Sequence, residues 1–193
     1  MICIYGASGH GGVISEILFG QGHAVFFYDD DYSKNEYLGI NVSHDKEIIK
    51  KVVVGIGDNH IRRKIVLSLK NVTYEKAIDS NAMISNNVEI DSGTVIFSGA
   101  IINHSTTVGK HSIVNTNSSI DHDCCLGEYV HVAPGASICG GVTIGDCTFV
   151  GAGSTILPNI RIGKNVTIGA GAVVIEDIPD NITVIGIPAK IKR

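Results

Sequence analysis

Leucine is nearly missing from this chain: six residues of 193, against 30 isoleucines. That shortage argues against a mainly helical protein, and the isoleucine excess favours strands. Proline is also scarce, four residues beside 23 glycines. Glycine without proline suggests many tight turns that need positive φ. The five cysteines are an odd number with no C-x-x-C spacing, which excludes a disulfide framework and a zinc knuckle. No stretch approaches the roughly 18 apolar residues of a membrane span, and no basic leader precedes the strand-like Ile2–Tyr5. Positive charge is short as well, 15 Lys and Arg against 19 Asp and Glu, with a pI near 6.0. Neither nucleic acid nor an anionic membrane is therefore expected as a partner. The expectation is a soluble cytoplasmic protein.

What is present is a period of six. From Ile78 every sixth residue through Val174 is aliphatic: seventeen consecutive positions without a miss. Ile, Leu and Val are about 29% of the chain. Chance would give such a run in a fixed frame with a probability on the order of 10⁻⁹. Four residues after each anchor sits a small or β-branched residue, such as Thr94, Ala100, Ser118 and Ala136. One residue before that come Gly93, Gly99, Asn117, Gly135, Gly141, Gly153, Asn159, Asn165 and Gly171. Glycine and asparagine tolerate the left-handed conformation, so the chain turns a corner there. A period of six fits a short flat strand plus a corner, with three units closing a triangular coil of 18 residues. The pattern resembles the left-handed parallel β-helix of hexapeptide-repeat acyltransferases, whose handedness it shares by resemblance. It implies about five coils between Ile78 and Val174 with no register break.

Residues 1–77 lack the period and read as a separate small α/β unit, leaving 78–193 as the β-helix with a C-terminal tail. Strands are predicted at Ile2–Tyr5, Ala24–Tyr28 and Val52–Ile56, with helices marked by Val13, Ile14, Ile17 and Leu18 and by Ile61, Ile65, Val66 and Leu69. That alternation implies a small Rossmann-like parallel sheet. The turn Gly6-Ala7-Ser8-Gly9-His10-Gly11-Gly12 presents backbone N–H groups at a helix N-terminus, where a phosphate is welcome. Asp29 and Asp30 follow about 20 residues on, where a ribose or base contact would fall. The same turn serves equally to pack a helix on a strand. Three strands are too few for a dinucleotide fold, which disfavours NAD and favours a mononucleotide handle.

Within the coils, the residues that the repeat does not dictate carry the chemistry. Ile120 and Cys124 point inward, so Asp121-His122-Asp123 lies on an outer face and corner. One coil back from His122 is His104, which should lie beside it at the spacing of neighbouring strands, about 4.8 Å; one coil forward is Gly140. An imidazole suits a general base for an attacking amine or hydroxyl. A neighbouring carboxylate, Asp121 or Asp123, would fix its tautomer. His131 is half a circuit away and faces another side. One subunit cannot bring both histidines to one site. A groove between subunits of a homotrimer could, and apolar outer faces would support that packing. No metal is expected to be required, and Cys124 and Cys125 lack an activating context beyond one histidine, so direct transfer is expected.

The segments Tyr5–Gly11, Ile56–Asn59 with Ile61 and Arg62, Ile120–Ala136, Leu157–Asn159 and Gly186–Lys190, in that order, resemble bacterial sugar acetyltransferases. These modify nucleotide-linked 4-amino-6-deoxyhexoses, the bacillosamine-pathway enzymes among them; a sister branch O-acetylates sialic acid. The resemblance implies an acetyl-CoA-dependent N-acetyltransferase acting on a UDP-, dTDP- or GDP-linked amino sugar, with His122 as general base. The family usually has glutamate where this chain has Asp123. It implies that His131 hydrogen-bonds the thioester carbonyl, and that Gly140, Ala152 and Ala170 line the pantetheine groove, with Pro188 and Lys190 near the nucleotide end. It further implies that Gly6, Ser8, Gly9, His10, Gly11, Asp29, Asp30, Gly57 and Asn59 hold the acceptor, with His104 beside it. The alternatives are O-acetylation of sialic acid or another carbohydrate, and a non-catalytic trimeric scaffold that binds a nucleotide sugar.

Overall fold

The computed structural model describes residues 1–192; Arg193, the end of the second predicted segment, lies outside the described residues. The chain opens with β1 (Ile2–Tyr5), α1 (Gly9–Gly20), β2 (Val25–Tyr28), β3 (Glu36–Tyr37), β4 (Ile40–Ser43), β5 (Lys51–Val54), α2 (Asn59–Ser68) and β6 (Thr73–Tyr74). They form a six-stranded sheet ordered β3-β4-β2-β1-β5-β6, in which only β3 and β4 are antiparallel. The sequence predicts three strands here. The missed ones are edge or flanking pieces of two to four residues, and β4 buries only Val42, too little apolar pattern to register. The glycines explain how closely α1 approaches the sheet. A Cβ on Gly11 would stand within van der Waals overlap of the Gly6 carbonyl oxygen, and Gly6 itself has φ 114°.

From Ala77 the chain winds as a parallel β-helix whose strands are two residues long. The first face stacks strands beginning at Ala77, Val95, Ile113, His131, Phe149, Thr167 and Thr183. The second stacks Met83, Ile101, Ser119, Ser137, Thr155 and Val173; the third stacks Glu89, Thr107, Cys125, Thr143 and Arg161. Pairing steps by 18 residues, as in Val95↔Ile113 and Ser119↔Ser137. The second residue of each strand points inward, and these side chains form one continuous aliphatic core. The predicted corner glycines and asparagines all have positive φ. So do Ser105, His111, Asp123, Tyr129 and Cys147 in the same column, although such a conformation costs a non-glycine residue about 1–2 kcal/mol.

The helix runs longer than the period shows. After Val174 the step shortens to 16 residues, giving Ile162↔Ile178 and Thr167↔Thr183, so a tighter last coil follows. Position 180 is aspartate rather than aliphatic, which is why the six-residue frame ends early. Lys190–Ile191 then folds back antiparallel on Thr183–Ile185. At the opposite end, α1 lies against the strand at Ala77–Ile78, and Gln21 Nε2 donates to the Ile78 carbonyl at 3.1 Å.

The N-terminal lobe sits on the first face. Ala77, Val95, Phe97 and Ile113 join Ile14, Leu18 and Val53 in one cluster. The expected apolar outer faces are therefore only partly found. The outward apolar side chains concentrate under the lobe, while the second face exposes Met83 and Ile101 and then turns to Ser119, Ser137 and Thr155.

Candidate active site

The corner between the second and third faces carries Asp121-His122-Asp123. Asp123 takes positive φ, 58°, which turns its carboxylate back onto the preceding ring. His122 Nδ1 and Asp123 Oδ2 are 2.7 Å apart. With a carboxylate on Nδ1, that nitrogen holds the proton and Nε2 carries the lone pair. The Asp123 hydrogen bond, followed by the charge of Asp121, raises the His122 pKa above its ordinary value. The two aspartates thus divide the work. Asp121 Oδ1 accepts the His122 backbone N–H and the Asn103 amide, both at 2.9 Å, and fixes the backbone rather than the ring. His104 stacks one coil back, ring centroids 5.4 Å apart and planes within 10°.

One coil forward the side chains vanish. Gly140 is buried beneath the His122 ring, and a Cβ there would come within 2.7 Å of Cε1 and 2.8 Å of Nε2. Gly140 and Gly141, with Cys139, Pro158 and Asn159, leave a notch of about 330 Å³ bordering His122. Both this corner and the one carrying Ala152 and Ala170 flank the second face, and both alanines are exposed. Between them run the small side chains of Ser137 and Thr155. Pro188 and Lys190 are exposed on the C-terminal tail, where Lys190 pairs with Glu176 at 3.3 Å and borders a groove of about 560 Å³.

His131 lies elsewhere, on the first face against the lobe. Its Nδ1 bonds the Gly57 carbonyl at 3.0 Å, so that nitrogen is the donor. Its Nε2 faces the Asn115 amide nitrogen at 3.2 Å, and Asn115 Oδ1 is already taken by the Thr116 N–H. Burial lowers its pKa to about 4. In this arrangement Nδ1 holds the proton and Nε2 the lone pair. It borders a second cavity, of about 340 Å³, with Asp58, His60, Phe149 and Asn165.

Asn59 is buried, and its amide donates to the carbonyls of Cys147 and Thr148 while accepting from Arg62. It also lines the cavity beside His131. Arg62, 1% exposed, donates to the carbonyls of His111, Tyr129, Ile56 and Gly57 as well. These two side chains pin α2 to the corner between the third and first faces. Positive φ at His111, Tyr129 and Cys147 is accepted there because Tyr129 and Cys147 pack into the lobe and His111 stacks on Tyr129.

At the glycine turn, Gly6 and Gly11 serve close packing, whereas Ser8 and Gly9 are exposed and nothing stands over Gly9. His10 leans on Phe97, with Nε2 buried and unpaired; burial lowers its pKa to about 4. Asp29 accepts the Ala7 N–H at 2.9 Å and bonds Lys34, whose ammonium also reaches the Ala7 carbonyl. Asp30 accepts from Tyr5, Tyr28 and Lys46. Both aspartates therefore brace the turn. Lys34 and the exposed Tyr32, stacked on His44 at 4.7 Å, are features that no motif in the sequence flags. Among the described residues no helix is long and apolar enough to cross a membrane, and no cluster of His, Cys, Asp and Glu is arranged for a metal ion.

Comparison with known proteins agrees with this layout. The PglD N-terminal domain model matches residues 1–69, and the bacterial transferase hexapeptide (six repeats) model matches residues 141–176. Curated protein sequences returned no match. Among solved structures, a mutant of perosamine N-acetyltransferase from Caulobacter crescentus, in complex with CoA and GDP-perosamine, is 33% identical with a TM-score of 0.95. The alignment covers 100% of this chain and 96% of that one. The acetyltransferase domain of PglB from Neisseria gonorrhoeae, in complex with acetyl coenzyme A, is 32% identical with a TM-score of 0.92, covering 99% and 98%. WeeI from Acinetobacter baumannii is 30% identical with a TM-score of 0.92, covering 100% and 99%.

Proposed function

The chain belongs to the nucleotide-sugar N-acetyltransferases of the left-handed β-helix superfamily, and from that premise we propose that it acetylates the 4-amino group of a nucleotide-linked amino-deoxysugar, with His122 as general base. The observation that carries the role of His122 is its locked tautomer: Nδ1 held by Asp123, Nε2 bordering the notch over Gly140. The amine attacks the thioester carbon of acetyl-CoA, forming C–N and breaking C–S. The proton leaving nitrogen passes to Nε2 and on to the departing thiolate, so no acyl-enzyme is needed. Asp123 supports the imidazolium formed on the way.

The donor would lie along the second face, between the Gly140 corner and the Ala152–Ala170 corner, where Ser137 and Thr155 leave room. The acceptor's diphosphate would meet the exposed start of α1 at Ser8 and Gly9, with Lys34 close by. Its base would stack on Tyr32. The lobe's cavity at His131 and the notch at His122 lie on different faces, so a trimer, whose neighbouring subunit brings the two together, suits the chemistry. The cytoplasm, where nucleotide sugars and acetyl-CoA are made, is the fitting compartment.

The test is a coupled thiol-release assay with UDP-, dTDP- and GDP-linked 4-amino sugars. His122→Ala should lower kcat by about 10²–10⁴ with little change in KM for acetyl-CoA, the range for losing a general base. Near wild-type turnover in His122→Ala would remove it from that role. Efficient acetylation of free sialic acid, with no nucleotide sugar accepted, would favour O-acetylation. Binding without turnover would leave a scaffold.

A further inference from the structure

We propose that His104 is a positioning residue for the base: its ring is a π plate that supports the His122 imidazolium as it forms. The inference rests on the reading of His122 as the base. The 18-residue coil sets position 104 directly before position 122. The two rings come out nearly parallel, centroids 5.4 Å apart. That lies within the roughly 6 Å over which a ring face stabilises a cation. The backbone fixes the pair, because the His104 carbonyl accepts the Asp123 N–H at 3.1 Å. Thus the residue that stacks on the base also seats the carboxylate that orients it. Asn87 donates to Ser105 Oγ at 3.2 Å, and that hydroxyl stands 3.4 Å from His104 Nδ1, which steadies the plate from the coil before.

The neighbourhood of His122 is asymmetric. On its own corner stand Asp121 and Asp123; on the coil before it stands His104; on the coil after it stand Cys139 and two glycines, and beyond them Pro158 and Asn159. One face of the ring therefore rests on the Gly140 backbone, with the notch along its edge, and the other is backed by an aromatic ring. When Nε2 takes the proton, that plate meets a cation at short range. Two carboxylates alone could supply charge but could not keep the ring from tilting toward the N-terminal side.

The test uses the full-length enzyme and three variants, His104→Ala, His104→Phe and His104→Lys. His104 is exposed, so thermal melts should stay close to wild type. His104→Ala should lower kcat about two- to five-fold, the scale of an exposed cation–π contact, with KM for acetyl-CoA unchanged. The His122 imidazole resonance, titrated by NMR, should move to lower pKa, and the acidic limb of kcat/KM should follow it. His104→Phe should recover most of kcat and return the limb. His104→Lys, a fixed cation in place of the plate, should do worse than alanine. A His104→Ala enzyme with wild-type kcat and pH profile overturns the proposal, and so does a phenylalanine variant no better than alanine. If instead His122→Ala keeps its turnover, the base assignment itself has failed, whatever the His104 variants show.

Discussion

Gly140→Ala isolates what the empty side of the His122 ring is worth. The added methyl would sit 2.7 Å from Cε1 and 2.8 Å from Nε2, where ordinary contact begins near 3.4 Å. The ring must retreat by about 0.7 Å, and the 2.7 Å bond from Nδ1 to Asp123 lengthens or bends with it. A displacement approaching 1 Å at a reacting group costs up to about 10²-fold, so kcat should fall about 10- to 100-fold, or roughly 1.4–2.7 kcal/mol in barrier. Folding stability should not fall in step. Gly140 is outside the left-handed φ region, unlike Gly141, and alanine there lowers the entropy of the unfolded chain by about 0.4–1 kcal/mol. The assay pairs steady-state kinetics with a urea melt: activity down, midpoint level or slightly up. A variant keeping more than half of the wild-type kcat would refute the reasoning, because it would mean that the ring position seen here is not the working one.

Arg62→Met should destabilise the protein by about 2–6 kcal/mol in urea melts, since it strands the buried carbonyls of His111 and Tyr129 with no donor; a loss under 1 kcal/mol would show that water replaces the guanidinium. Acid should unfold the protein early. His111 and His131 are buried with pKa values lowered to about 4, so the unfolded chain binds more protons than the folded one between about pH 6.5 and 4. The stability present above that window is lost as pH falls through it, about 3 kcal/mol for each histidine by pH 4. Calorimetry from pH 7 to 4.5 checks this, and His111→Asn should flatten the curve. Tyr32→Ala should raise KM for the nucleotide sugar about 5- to 100-fold through lost stacking, with KM for acetyl-CoA unmoved; equal effects on both substrates would place the base elsewhere.

The β-helix was legible because each coil repeats the demand for an inward aliphatic residue, and any miss would leave a gap in a core one side chain wide. The corner proposed for catalysis stood out for the opposite reason: nothing in the repeat requires Asp121, His122 or Asp123. What stayed hidden depends on the lobe. Asn59 opens α2 just after a strand and a short turn, as a ligand-binding residue would, yet its amide donates to partners 88 and 89 residues away on a coil corner. His131 occupies an ordinary outward position; docking of the lobe onto that face takes its Nδ1, while Asn115 of the neighbouring coil faces its Nε2. The same docking explains left-handed backbone at Tyr129 and Cys147, which no local preference suggests. The lobe and the coils thus share one packed interface. Residues 78–192 alone would bare Val95, Ile113 and Phe97, all buried at present.

A stack of parallel coils is by nature an unfinished fibre: each end offers a row of free N–H and C=O groups to another copy. Here the first face is capped at both ends. The shortened last coil and the antiparallel Lys190–Ile191 strand change both spacing and direction, so a coil arriving in register finds no matching row. At the start, α1 lies against the Ala77–Ile78 strand, and Gln21 occupies the Ile78 carbonyl. Growth along the first face is thus refused at both ends, and association is left to the sides, where the proposed groove between subunits would form.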